Sequence, residues 1–145
     1  MGEKKPDRIR WEMLALVAVP FAIGAGVWAI SASKRPPEVP LAPLTSELLL
    51  ALSRDPAAVA EGKQLYLTTC VSCHGARGQG LVGPNLTDGS WLHGDQPLQV
   101  HSSISQGFPQ KGMAAFENLL GPARVRAVTA FVLTLKDTNV PGKAP

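Results

Sequence analysis

The longest apolar stretch of the chain runs from Met13 to Ser33, 21 residues without a charged side chain. At about 1.5 Å rise per residue, a helix of that length measures roughly 30 Å, the thickness of a bilayer's hydrocarbon core. The pattern therefore predicts a short N-terminal tail (1–11) and one membrane-spanning helix (12–33) in contact with lipid. Ala29-Ile30-Ser31 offers a small-residue cleavage site, but the run is long for a signal peptide, and an uncleaved anchor is the reading adopted. Ala18, Ala22 and Gly26 recur every four residues on one face of this helix and let another helix approach closely. Beyond the span, Arg35 to Pro43 is rich in proline and reads as a semi-rigid, partly extended spacer. Thr45 to Leu52 predicts a short helix with Leu48, Leu49 and Leu52 apolar, so that 34–54 forms a linker with one helical turn or two.

From residue 55 the periodic segments are helical, with loops between them, and the fold class expected is all-α. Asp55-Pro56 supplies an N-cap side chain followed by the residue best tolerated at the first helical position, starting a helix that runs to about residue 69. Val59, Gly62 and Tyr66 share one of its faces, and a glycine there suggests close backbone approach. The approaching partner is expected to be the last helix, opened by Gly121-Pro122, where Val125, Val128, Val132 and Leu135 recur with Phe131 widening the face. Asp95 to Gly107 predicts a further helix with Pro97 in its first turn and Val100 and Ile104 inward. The glycine-rich stretch before Trp91 reads as loop.

Charge adds direction to this plan. Of the net charge of +3, residues 1–35 carry +3, residues 36–54 carry −1 and residues 55–145 carry +1. Lys4, Lys5, Arg8 and Arg10 precede the span and only Lys34 and Arg35 follow it closely, which places the N-terminus in the cytoplasm. The rest of the chain then lies on the outer, periplasmic face of a single-pass inner-membrane protein. Trp11 and Trp28 sit near the two ends of the span, as interfacial aromatics do. No basic patch with interleaved aromatics is present, and nucleic-acid binding is set aside.

The chemistry concentrates at Cys70-Val71-Ser72-Cys73-His74. Two thiols separated by two residues can reach both vinyl groups of one porphyrin, and the next residue brings an imidazole under the iron. A thioredoxin-like redox pair would want a βαβ pattern around it, and a four-ligand zinc site would want more cysteines or a clustered histidine pair. Neither pattern surrounds these two cysteines. The expected cofactor is therefore one covalent haem c held by Cys70 and Cys73, with iron on His74. What fills the sixth iron position separates electron transfer from ligand chemistry. Met113, the only methionine after residue 13, follows a helix and a glycine-rich loop and is the first choice; His93 and His101 are the imidazole alternatives. His93 reads as a surface or propionate-side residue, and His101 as lying on a polar helix face. Trp91 is expected to cover the haem edge, to donate its indole hydrogen to a propionate, or simply to pack in the core.

The motif, with Gly83-Pro84-Asn85-Leu86 and Gly112-Met113 behind it, resembles the class I c-type cytochromes. Asn85-Leu86-Thr87-Asp88 and Trp91-Leu92-His93-Gly94 are similar to the haem domains in the cytochrome subunits of cbb-type haem-copper oxidases. The resemblance covers about residues 56–138. It implies a class I cytochrome c fold of three to five helices around one haem, filling residues 55–145. It also implies that the carbonyl of Pro84 accepts the Nδ1 hydrogen of His74, and that the first and last helices cross at Gly62, Tyr66 and Phe131. Such domains receive their haem outside the cytoplasmic membrane and often carry proline after the distal methionine, where Ala114 stands here. The subunits commonly hold two C-x-x-C-H motifs, whereas this chain holds one. The implied role is that of a tethered electron carrier rather than an enzyme, passing electrons between respiratory redox partners such as a haem-copper oxidase or a quinol-oxidising complex. A haem-based sensor or small haem oxidoreductase with a labile distal ligand stays open beside it, as does a thiol-disulfide protein.

Overall fold

The computed structural model describes residues 42–143. The expected tail, span and most of the proline-rich spacer lie outside the described residues, among which no helix is long and apolar enough to cross a membrane. The described residues form α1 (Ser46–Leu52), α2 (Pro56–Thr69), α3 (Val71–His74), α4 (Pro97–Gln106), a 3-10 turn (Pro109–Lys111), α5 (Glu117–Leu120) and α6 (Pro122–Leu135). They contain no strand; one isolated antiparallel bridge joins Phe108 and Met113.

Local signals set most of the helix starts. Asp55 caps α2 by accepting from the Ala57 N–H at 2.9 Å, and Pro122 opens α6 directly after Gly121. The helix expected over 95–107 begins only at Pro97. Proline pushes the residue before it into extended backbone, so Gln96 (ψ 147°) becomes the cap and closes a reciprocal bond with the Gln99 side chain.

Helices α2 and α6 cross tightly at Gly62, where a Cβ would overlap the Ala127 carbonyl oxygen. One turn along, Tyr66 and Phe131 meet edge to face with ring centroids 5.1 Å apart. Tyr66, Val100, Ile104, Val125, Val128, Phe131 and Val132 form the main core. A smaller cluster of Leu52, Ala58, Ala127 and Ala130 fills the other side of α6. The apolar face of α1 packs on this domain: Leu49 is fully buried, Leu52 joins the smaller cluster, and Thr45 caps the helix by accepting from Leu48 N–H at 3.1 Å. Arg126, buried on α6, donates to the Ala42 carbonyl at 2.7 Å and so ties down the chain entering α1.

His101 departs from the sequence expectation. It is buried rather than on an open polar face: α1, α5 and α6 all pack on α4, and the charges of Glu117 on α5 and Arg126 on α6 act on its ring. Ser105, one turn on, donates to the Glu117 carboxylate. Burial lowers the His101 pKa, with Glu117 opposing and Arg126 adding to the shift, and its buried Nε2 has no hydrogen-bond partner among the described residues.

Candidate functional site

The last turn of α2 runs directly into α3, so Cys70 is both the C-cap of one helix and the N-cap of the next. Backbone bonds from Cys73 and His74 to the Cys70 carbonyl (3.2 and 3.0 Å) fold the motif into a single turn. Both thiols are free. Burial pushes the Cys70 thiol up; the Thr69 hydroxyl 3.4 Å away opposes this and Cys73 adds to it. The Tyr66 hydroxyl donates to the Gly75 carbonyl at 2.8 Å and pins the end of the motif to the helix crossing. Burial raises the pKa of that phenol, so it remains a donor.

The loop after the motif folds back over it. Gly80 N–H reaches the His74 carbonyl at 2.8 Å and Gly83 N–H the Cys73 carbonyl at 2.9 Å. This return brings the Pro84 carbonyl to 3.0 Å from His74 Nδ1. A carbonyl can only accept, so Nδ1 carries the hydrogen and Nε2 keeps its lone pair. Burial lowers the His74 pKa while the Pro84 bond opposes that shift, and the neutral ring is the form that ligates metal.

Met113 sits at the end of a loop that closes on itself. Phe108 and Met113 exchange two backbone bonds of 2.8 and 3.1 Å around the Pro109–Lys111 turn, and Gly112 takes the left-handed conformation (φ 82°). Phe116 N–H donates to the Ile104 carbonyl at 3.2 Å and fastens the chain after Met113 to α4. Hydrogen bonds thus stiffen a loop that lacks proline at Ala114.

Cys70, Cys73, His74, Pro84, Trp91, His93 and Met113 all line one cavity of about 380 Å³, whose walls include Val100, Ile104, Phe116, Val128 and Val132. Strongly exposed Val82 (78 %) and Leu92 (65 %) mark its mouth. Trp91 is half-buried against the core and gives its indole hydrogen to the Asp88 carbonyl at 3.0 Å. His93 is exposed and stacks on Phe108, centroids 3.7 Å apart. His101 is not among the residues lining the cavity. Phe108 and Phe116 also line the cavity; the sequence signals them only as one aromatic inside the Gly107–Gly112 loop and one shortly after Met113.

The donor set fits a covalently held haem. Two free thiols one turn apart, a neutral imidazole with one nitrogen already engaged, and a thioether face one largely apolar cavity.

Comparison with known proteins agrees with this chemistry. At 39 % identity over 87 residues, the chain is similar to the cbb3-type cytochrome c oxidase subunit CcoP of Rubrivivax gelatinosus, a match covering 59 % of this chain and 28 % of that protein. It is 36 % identical over 105 residues to the cbb3-type cytochrome c oxidase subunit FixP of Azorhizobium caulinodans, covering 67 % of this chain and 34 % of that protein. The matched region is thus about a third or less of these relatives' length. Among solved structures, cytochrome cL from Methylophaga aminisulfidivorans has a similar fold (TM-score 0.52, 22 % identity, 64 % of this chain and 73 % of that one). Cytochrome cL from Hyphomicrobium denitrificans is comparable (TM-score 0.50, 21 % identity, 70 % and 63 %). The family model described as cytochrome c oxidase, cbb3-type, subunit III matches residues 57–132, over half of the chain, and the chain belongs to that family.

Proposed function

We propose that this chain is a single-haem, membrane-tethered cytochrome c that passes electrons between respiratory partners on the outer face of the cytoplasmic membrane. In this reading it serves as a subunit of a cbb3-type oxidase or as a carrier docking to such a complex or to a quinol-oxidising one. The observation that carries it is the single cavity onto which Cys70, Cys73, His74 and Met113 all open. When bound, the haem supplies one-electron iron chemistry; the protein supplies attachment, axial ligands and a dry environment. Cys70 and Cys73 form the thioethers. His74, its ring held by Pro84, would offer Nε2 to the iron, and Met113 would offer its thioether from a loop fastened at both ends. Held from both sides by His74 and Met113, a bound haem would need little rearrangement when an electron arrives or leaves, which would suit transfer and disfavour binding of small ligands. Support for the partner comes from the relatives, which are cbb3-type oxidase subunits.

Met113→Ala tests the assignment. The variant should keep its thioether-linked haem, lose the weak far-red sulfur-to-iron band of the oxidised protein, bind carbon monoxide and show a lower potential, because a thioether ligand favours ferrous iron. A wild type that lacks the band and binds carbon monoxide readily would defeat the carrier reading.

A further inference from the structure

Beyond α6 the chain turns sharply through two non-glycine residues with positive φ, Asp137 (61°) and Asn139 (50°). Left-handed backbone at such residues costs roughly 1 kcal/mol each and persists only where surrounding contacts hold it. Local bonds from Thr138 to the Leu135 carbonyl and from the Asn139 amide to the Asp137 carbonyl hold part of the turn, and the contacts to distant residues run to the loop that carries Pro84. Asn139 N–H donates to the Thr87 carbonyl at 2.8 Å, Val140 N–H to the Thr87 hydroxyl oxygen at 2.9 Å, and Lys143 N–H to the Gln79 carbonyl at 2.9 Å. The Lys143 ammonium reaches the Val82 carbonyl at 2.8 Å. Gly142 lies so close that a Cβ there would overlap the Gln79 carbonyl oxygen.

Around Thr87 these bonds close into a ring. The fully buried Thr87 hydroxyl accepts from Val140 and donates to Asn85 Oδ1 at 2.7 Å; the Asn85 amide in turn donates to the Val140 carbonyl at 3.3 Å. Asn85 is the other half of the Pro84–Asn85 peptide unit. Whatever fixes Asn85 therefore fixes the carbonyl that His74 Nδ1 meets at 3.0 Å.

We propose that residues 139–143 are a strap that positions the Pro84 carbonyl on His74 through the Asn85–Thr87–Val140 ring, and so tunes the imidazole as an iron ligand. A hydrogen bond from the far ring nitrogen makes an imidazole a more basic ligand. It stabilises ferric iron relative to ferrous, so loosening the strap raises the potential. Thr87 and the strap are positioning residues that do not line the cavity; they act through Asn85, which does. The inference rests on the proposed ligation of iron by His74.

The test reads the His74 Nδ1 proton by NMR in the reduced, haem-loaded protein. In the wild type, solvent exchange of that proton and of the Asn139 and Val140 amides should proceed at matching protection, within a factor of about three, because one opening releases all of them. Thr87→Val, which removes the hydroxyl but keeps the shape, should speed Nδ1 exchange at least tenfold and raise the potential, and Thr87→Ser should restore both. A ring proton exchanging far more slowly or far faster than the strap amides overturns the proposal without any variant. A Thr87→Val protein that is merely less stable, with potential and Nδ1 exchange unchanged, overturns it as well. Absence of a haem-shifted His74 ring signal from the wild type would instead sink the ligand assignment itself.

Discussion

Replacing Gly62 with alanine should destabilise the domain, although alanine is the better helix former by about 1 kcal/mol. The added methyl would overlap the Ala127 carbonyl oxygen and stand 2.6 Å from the Ala127 carbonyl carbon and 2.9 Å from Phe131 Cβ. Carbon atoms in ordinary contact are about 3.5–4.0 Å apart, so α2 and α6 must separate by roughly 1 Å. Overpacking costs about 1–3 kcal/mol where side chains can yield. Here the obstacle is backbone, which puts the cost at the top of that range or beyond. Net of the helix gain, the loss is about 2 kcal/mol, or about 10 °C in Tm for a domain of this size. Thermal unfolding of the haem-loaded protein followed by far-UV circular dichroism measures it, with Ala60→Gly, at an exposed position of the same helix, reporting helix propensity alone. A Gly62→Ala protein as stable as the wild type, or more so, would refute the tight crossing and with it the packing that shapes the cavity.

Two further outcomes are expected. His101 has a folded pKa below its ordinary value, so the fold prefers the neutral ring; that contribution is complete above about pH 6.5 and is lost as pH falls through the folded pKa. Urea unfolding of the haem-loaded protein between pH 7.5 and 5 should therefore show stability falling, by at most about 1.4 kcal/mol per pH unit from this group, and His101→Gln should flatten the slope. An unchanged slope would mean that His101 is already solvated in the fold. For topology, protease added to intact spheroplasts should remove the haem domain from the anchor, and protection of the domain while an external control is digested would reverse the orientation.

The parts legible in the sequence are those set by neighbours in the chain. Asp55-Pro56 and Gly121-Pro122 announce their helices locally, and the spacing of Gly62, Tyr66 and Phe131 carries the crossing in the resemblance. Cys70, Cys73 and His74 lie within five residues, and Met113, the one methionine after residue 13, lines the same cavity as they do. What escaped depends on distant contacts. His101 reads as polar and exposed because its burial comes from helices elsewhere in the chain that pack on α4, among them the four-residue α5, which has no period to read. Thr87 and Asn85 bond to a residue more than fifty positions away, and nothing in residues 138–143 signals that they return to the haem loop. The Trp91 indole, open to several roles in the sequence, meets a backbone carbonyl that only the folded loop supplies.

The central claim is that Cys70 and Cys73 bind one haem covalently. Intact-mass spectrometry of the purified protein, produced with a haem-attachment system and analysed in denaturant after exposure to a thiol-alkylating reagent, tests it most directly. The account predicts the mass of the chain plus one haem, with no alkyl group added at either cysteine and the haem retained through acid-acetone extraction. The bare chain mass with two alkylated thiols, from a preparation whose pigment extracts freely, would contradict it.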